Sequence, residues 1–339
     1  MEKLSVVLLN YNGRAHLETF LPSVVAHSQP HTVYLVDNGS TDDSLQWVKA
    51  NFPSVKTIAF SQNHGFCGGY NKALPLIESE YVVLLNTDVE VTKGWIHAPL
   101  QLLEQNRTIK ALQPKILDYK KKDTFEYAGA AGGYIDWMGY PFCRGRIFET
   151  LEKDNGQYNT NTPIFWASGS CLFVHRKTYL KLGGLDEDFF AHMEEIDLCW
   201  RIWNAGFQVS VATESIVFHL GGGTLDKSKP KKTYLNFRNG LSLLIKNETI
   251  GHLLWKFPLR LALDWVAVFK FSVQSGPQHG LAILHAHLST FWYMRRTWAK
   301  RSKKSQSLPN IPIYRGFITW QYFVKGRKVF ANLNRKNLP

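Results

Sequence analysis

Asp88 stands three residues beyond the apolar run Tyr81-Val82-Val83-Leu84-Leu85, where a strand would end and present a carboxylate. An acid so placed suits Mg2+ or Mn2+, hard cations that keep several waters and need only one or two carboxylates when they bridge phosphates. A single Asp after a strand also serves as an ordinary turn or cap. Farther on, Glu194-Glu195-Ile196-Asp197 sets three acids within four residues, followed by Leu198-Cys199-Trp200-Arg201. On a helix, Glu194 and Asp197 share a face, and Asp197 reaches Arg201 at i+4. A first turn rich in acids is favoured by the helix dipole whatever its function. Against that reading, Phe189, Phe190 and Trp200 would desolvate a carboxylate and raise its pKa towards that of a general base. His219 closes the run 215–218 and precedes Leu220-Gly221-Gly222-Gly223-Thr224. A strand-end His is often simply hydrogen-bonded, but three glycines let a backbone approach a ligand and hinge a closing loop.

The elements that must hold these residues are legible upstream. Aliphatic runs at 5–9, 32–36, 55–60 and 81–85 recur about every 25 residues. Each is followed by turn residues and a stretch able to form a helix, such as 15–26 and 44–51, the alternation that builds a doubly wound α/β sheet. Ligands of such sheets sit at the carboxyl ends of the strands. Those ends read Asn10-Tyr11-Asn12, Asp37-Asn38-Gly39-Ser40, Asn63-His64-Gly65 and Asn86-Thr87-Asp88, four polar clusters that converge on one crevice. Any one of them could be a turn or a cap; their recurrence favours a site. There is no GxGxxG after the first strand and no GxxxxGK[ST] anywhere, which excludes a dinucleotide fold and a P-loop enzyme.

The 339 residues suffice for one large α/β domain and an appendage, expected to divide at 1–225 and 226–339. Cys67, Cys143, Cys171 and Cys199 lack CxxC spacing and read as reduced, buried thiols of a cytoplasmic protein. Met1-Glu2-Lys3-Leu4 runs straight into a strand, with no room for a signal peptide. Charge is divided sharply: residues 226–339 carry 21 Lys and Arg against three acids (net +18), and residues 1–225 carry 19 against 24 (net −5). Such a tail suits nucleic acid, an acidic protein or an anionic membrane. Residues 253–271 form a helix that is apolar apart from a strip of Lys256, Arg260 and Asp264, and no stretch is long enough to span a bilayer. Its apolar face must be covered, either by the first domain or a second subunit, or by the membrane interface. In the latter case Trp255, Trp265, Phe291, Trp292, Tyr293 and Trp298 lie at headgroup depth, with Arg295, Arg296, Lys300, Arg301, Lys303 and Lys304 on anionic lipid.

Taken in order, Val6-Val7-Leu8-Leu9-Asn10-Tyr11-Asn12-Gly13, Val36-Asp37-Asn38-Gly39-Ser40-Thr41-Asp42, Asn63-His64-Gly65-Phe66-Cys67-Gly68-Gly69-Tyr70-Asn71, Leu85-Asn86-Thr87-Asp88, Glu194-Glu195 and His219 with its glycines resemble the family 2 glycosyltransferases over residues 4–250. They are close to bacterial rhamnosyltransferase-like enzymes of cell-surface polysaccharide synthesis. The resemblance implies a GT-A fold, a Rossmann-like mixed sheet with a C-terminal helical, basic extension. It implies inverting transfer of a sugar from a UDP- or dTDP-sugar to a lipid-linked or glycan acceptor. Asp37 would contact the base or ribose, with Asn10, Tyr11, Asn12, Asn38, Asn63, Gly65, Lys72 and Asn86 lining the nucleotide pocket. Asp88 would be the metal-binding acid of the DXD motif, whose first acid is here Asn86, and His219 the second ligand to Mg2+ or Mn2+. Glu195 would be the base, with Glu194 as the alternative. Trp166, Ser168, Gly169 and Asp197 would lie against donor sugar or acceptor. The expected setting is cytoplasmic, peripheral on the inner face of the membrane, with homo-oligomerisation possible. The competing readings are a catalytically silent sugar-nucleotide-binding scaffold and a nucleic-acid-binding protein. The acidic first part with convergent polar strand ends speaks against the second, so no nucleic-acid partner is expected.

Overall fold

In the computed structural model, which describes residues 2–221, 229–302 and 310–338, the four apolar runs are parallel strands β1 (Glu2–Asn10), β2 (Thr32–Asp37), β3 (Lys56–Ala59) and β4 (Ser79–Leu85). Their alternation with α1 (Arg14–His27), α2 (Ser44–Asn51) and α3 (Gly65–Ala73) follows from the residue pattern. In α1, for example, Leu17, Phe20, Leu21 and Val24 recur at helical spacing and are the buried face. Register brings the strand ends level: Asn10 pairs with Asp37, and Asp37 with Ala59.

Beyond β4 come β5 (Val89–Val91), α4 (His97–Gln105), β6 (Ile109–Asp118) and four short strands, β7 (Gly133–Asp136), β8 (Pro141–Cys143), β9 (Arg146–Ile147) and β10 (Thr150–Leu151). They are followed by β11 (Cys171–His175), α5 (Arg176–Lys181), α6 (Glu194–Asn204) and β12 (Gln208–His219). The main sheet runs β3-β2-β1-β4-β11-β6-β12-β5. It is mixed, because β11 runs antiparallel to both β4 and β6, and β5 antiparallel to β12. The last pairing sets His219 opposite Val89 and so beside Asp88.

The extension begins with α7 (Pro230–Asn247), α8 (Ile250–Ser275), α9 (Pro277–Trp292) and α10 (Met294–Ala299). The expected division at 225/226 falls in 222–228, and Lys303 and Lys304 in 303–309, outside the described residues. Residues 310–338 return to the first part of the chain: β13 (Ile313–Tyr314) pairs parallel with β7, α11 (Ile318–Phe323) follows, and Phe330 joins the main apolar core.

Helix α8 contains the expected polar strip, and the strip faces inward. Lys256 donates to Glu248 at 2.6 Å, Arg260 to the Met138 carbonyl at 3.0 Å and to Asp264 at 3.2 Å, and Asp264 also meets His287 at 3.2 Å. Thr249 caps the helix by accepting from the His252 amide, and Gly276, at φ 101°, breaks the chain between α8 and α9. Among the described residues no helix is long and apolar enough to cross a membrane.

Candidate functional site

The ends of β1, β2 and β3 are stitched side chain to side chain. Asn10, fully buried, donates to Asp37 (3.3 Å), Ser40 (3.1 Å) and Ser44 (2.8 Å). Asn12 accepts from the Thr41 amide at 2.7 Å. Asn38 donates to Asn63 and to the Gly65 carbonyl, each at 3.0 Å, and accepts from the His64 amide. Gly39 takes φ 74°, and a Cβ there would come within 2.5 Å of the Gln62 backbone. The clusters at the ends of β1, β2 and β3 thus form one crevice. Asn10 and Asn38 are spent on holding its walls, while Tyr11 stands half exposed at the mouth and nothing lies within 4 Å of where a Gly65 side chain would start. The Asn86 backbone amide is held by the Ser170 carbonyl at 3.0 Å, tying β4's end to the 166–170 segment.

Asp88 and His219 lie in contact. His219 Nε2 is 3.2 Å from Asp88 Oδ1, and the Leu220 amide donates to the Asp88 carbonyl at 3.0 Å, so the β5–β12 pairing fixes both. Behind the imidazole, Glu126 Oε1 lies 3.5 Å from Nδ1, which has no well-formed hydrogen bond. All three side chains are buried. Burial disfavours the imidazolium, but the Asp88 and Glu126 carboxylates overcome it and raise the His219 pKa to about 10. Burial likewise opposes the Asp88 charge, yet its hydrogen bond with His219 leaves its pKa below the usual value. Among the described residues no three His, Cys, Asp or Glu side chains are placed to enclose a metal ion. Asp88 and His219 nonetheless fit a divalent ion as two ligands of a site completed by phosphate and water, with Glu126 placed to orient the His ring.

Glu194 and Glu195 open α6 at the end of a strained loop. Phe190, His192 and Met193 have φ of 64°, 68° and 72°, values that non-glycine residues rarely adopt. From α7, Asn239 donates to the carbonyls of Phe189, Ala191 and His192, and Arg238 to those of Asp188 and Phe189. Burial pushes the Glu195 carboxyl up to about 7, against the pull of backbone amides in the first helical turn. Burial, reinforced by the neighbouring Glu195 charge, pushes the Glu194 carboxyl well above its usual value. Each carboxyl has an Oε2 without a hydrogen-bond partner. A Cβ on Gly169 would sit 3.7 Å from that of Glu195 and 3.8 Å from Phe66, so the glycine leaves room beside this acid.

Several expected residues stand elsewhere. Asp197 was expected at the sugar, but it is fully buried and accepts from Arg201, Lys246 and Asn247, each at 2.8 Å; it is an architectural charge. Trp166 is buried, with its indole donating to the Tyr134 carbonyl at 3.0 Å and its ring on Gly133, so it supports the segment from beneath. Ser168 is buried between the Gln113 side chain and the Ala128 carbonyl. Lys72 is exposed on the last turn of α3, about two turns from Gly65. Gly222, Gly223 and Thr224 lie outside the described residues; Gly221, at φ 66°, would place a Cβ 3.1 Å from Glu126. Glu126 itself was missed, since it sits in a connection without periodicity, and only the sheet brings it to His219. A cavity of about 370 Å3 is lined by Asn71, Gly184, Asp186, Lys246, Arg296 and Lys300. Its charges neutralise one another, Asp186 meeting Lys246 and Lys300 at 2.6 Å each.

Residues 5–181 match the family described as glycosyl transferase family 2. The N-acetylglucosaminyl-diphospho-decaprenol L-rhamnosyltransferase of Mycobacterium tuberculosis is 31% identical over 281 residues, covering 77% of this chain and 89% of that protein. A low-salt glycan biosynthesis hexosyltransferase of Haloferax volcanii is 24% identical, over 70% of this chain and 74% of its own. Among solved structures, GalNAc-T7 with UDP, GalNAc and Mn2+ superposes with a TM-score of 0.58 at 14% identity, over 88% of this chain and 58% of that one. S. aureus TarS 1-349 with UDP-GlcNAc does so with 0.56 at 16%, over 88% and 84%. These likenesses show a shared GT-A fold.

Proposed function

Because the chain belongs to glycosyl transferase family 2, we propose that it moves a sugar from a nucleoside-diphosphate donor to a lipid-linked glycan acceptor, with inversion, in cell-surface polysaccharide synthesis. The observation that carries the reading is that the 166–170 segment meets both acidic clusters: Ser170 holds the Asn86 amide, two residues before the Asp88 that contacts His219, and Gly169 lies beside Glu195. The stitched strand ends would seat the nucleotide, with Tyr11 available to pack on the base and Asp37 at the ribose. Asp88 and His219 would hold a divalent ion, which supplies positive charge to the leaving diphosphate. Glu195 would accept the proton of the acceptor hydroxyl. The hydroxyl oxygen then bonds to the anomeric carbon as the bond from that carbon to the diphosphate oxygen breaks, the electron pair leaving with the nucleoside diphosphate. A carboxyl near 7 with a free oxygen is matched to that task, since a base works best with its pKa near the working pH. Support for a lipid-linked acceptor comes from the mycobacterial relative, whose name specifies a decaprenol diphosphate carrier. The test is transfer from a panel of UDP- and dTDP-sugars to a polyprenyl-diphosphate-linked sugar with Mg2+ or Mn2+. Donor binding without transfer to any acceptor, by protein whose Glu195→Gln variant binds donor equally well, would instead establish a scaffold.

A further inference from the structure

Helix α8 is built inside out. Its inward face carries Lys256, Arg260 and Asp264, with Asp264 fully buried, while Phe269 and Val273 are 74% and 70% exposed. Leu254, Trp265 and Val266 lie on the same outward face, following helical periodicity over five turns. A helix on a water-facing surface has the opposite arrangement. Leu281, Leu288 and Trp292 of α9 are exposed as well, and Trp320 and Phe323 extend the surface through α11, where Lys270 of α8 lies 3.4 Å over the Phe323 ring. An apolar face of this extent marks a contact surface rather than scatter.

We propose that the outward faces of α8, α9 and α11 lie in the interface of an anionic lipid bilayer. Charge chooses this occupant over a second copy. After Glu248 the sequence holds 15 Lys and Arg and one acid, Asp264, which is buried against Arg260 and His287. Arg295, Arg315, Lys325 and Lys328 are exposed on the same extension, close in sequence to the ends of α9 and α11. In a two-fold contact the same patch meets itself, so this positive charge would oppose its own image. Anionic headgroups neutralise it, while the aromatic residues occupy the depth between headgroup and acyl chain. None of the described helices can span the bilayer, so they lie along it. The placement reaches the site through α7, which packs between the hairpin and the strained loop: a Cβ on Gly240 would touch Arg260 at 3.1 Å and Met193 at 3.9 Å. Glu194 and Glu195 would then work one helix away from the lipid surface.

The test is co-sedimentation of the full chain with vesicles of phosphatidylglycerol and phosphatidylcholine, and of phosphatidylcholine alone, at low and high salt. It uses neither donor nor turnover, so its failure is distinct from a failure of the transfer reading. The chain should partition onto the phosphatidylglycerol vesicles, more weakly as salt rises. Because both side chains are exposed, F269S/V273S should retain the unfolding temperature and circular dichroism of the parent and lose on the order of tenfold in partition. Absence of partition onto phosphatidylglycerol, or equal partition by the folded double variant, overturns the proposal. So does a concentration-dependent dimer that the double variant dissociates, which would assign the face to a second copy.

Discussion

The side-chain amide of Asn239 donates to the carbonyl of His192 at 2.7 Å, joining α7 of the basic extension to the strained turn from which Glu194 and Glu195 project. The same amide reaches the carbonyls of Phe189 and Ala191, so one buried side chain holds three peptide groups of a loop with three positive-φ residues. Strain of this kind persists only where the surroundings over-determine it. The extension therefore braces the loop that carries the two glutamates.

Removing this clamp should cost rate more than donor affinity. Asn239→Ala leaves the three carbonyls without the amide they share, a loss of about 1–3 kcal/mol in stability. By loosening the glutamates it should lower kcat by roughly tenfold or more with donor Kd little changed. Steady-state kinetics beside donor titration reads this, and an unchanged kcat in a destabilised variant would reduce Asn239 to a packing residue.

Donor binding should need a divalent ion. Asp88→Ala should abolish turnover and weaken donor affinity, and His219→Ala should act more mildly because a water can replace a neutral ligand. Chelator should lower donor affinity of the parent in calorimetry, and undiminished activity in excess chelator would end the assignment of Asp88 and His219 as ligands.

Burial of the glutamate pair predicts a pH slope of stability. The Glu195 pKa is raised from 4.5 to about 7 in the fold, so between those values the native state binds more protons than the unfolded chain and stability falls as pH rises. Glu194, shifted in the same direction, adds to the slope as part of a pair that titrates together. Because Glu195 is partly open to solvent, its share should be about 1–2 kcal/mol, less than the full shift would give. Glu195→Gln should therefore gain stability relative to the parent at pH 8 and little at pH 4.5, in denaturant titrations at the two pH values.

Periodicity made the parallel strands and their helices legible, because β1, β2 and β4 bury near-continuous aliphatic runs, and β3, shorter and more exposed, was legible from its spacing after β2. The acids Asp88, Glu194 and Glu195 were legible by type and by their place at element ends. Asp197 was misplaced because spacing shows which helix face a residue takes and not what packs there; Lys246 and Asn247 reach it from α7, about fifty residues away. Glu126 was invisible for the converse reason. Its contact with His219 spans 93 residues and arises only when the connection after β6 folds back on β12. The polar strip of α8 was correctly drawn, yet its direction could not be: Arg260 turns inward because Tyr140, Met138 and Asp264 await it.

The sharpest comparison sets Glu194→Gln beside Glu195→Gln. Adjacent helical residues point about 100° apart, so one carboxyl of the pair can meet the acceptor hydroxyl while the other serves the fold. Glu194 is the more deeply buried, 7% exposed, whereas Glu195 is partly open and lies beside Gly169, where a side chain is absent. A base must be reached by its substrate, and of the two Glu195 is the side chain with more exposed surface, beside Gly169. Glutamine keeps the shape and cannot take the proton, so Glu195→Gln should lower kcat by roughly 100-fold or more under saturating donor, with donor Kd almost unchanged. Glu194→Gln should keep most of kcat and change stability or acceptor affinity instead. In the parent, kcat should fall as pH drops through about 7, where the Glu195 carboxyl gains its proton. A dead Glu194→Gln beside a normal Glu195→Gln would move the base by one residue, and two active variants would remove the pair from the chemistry altogether.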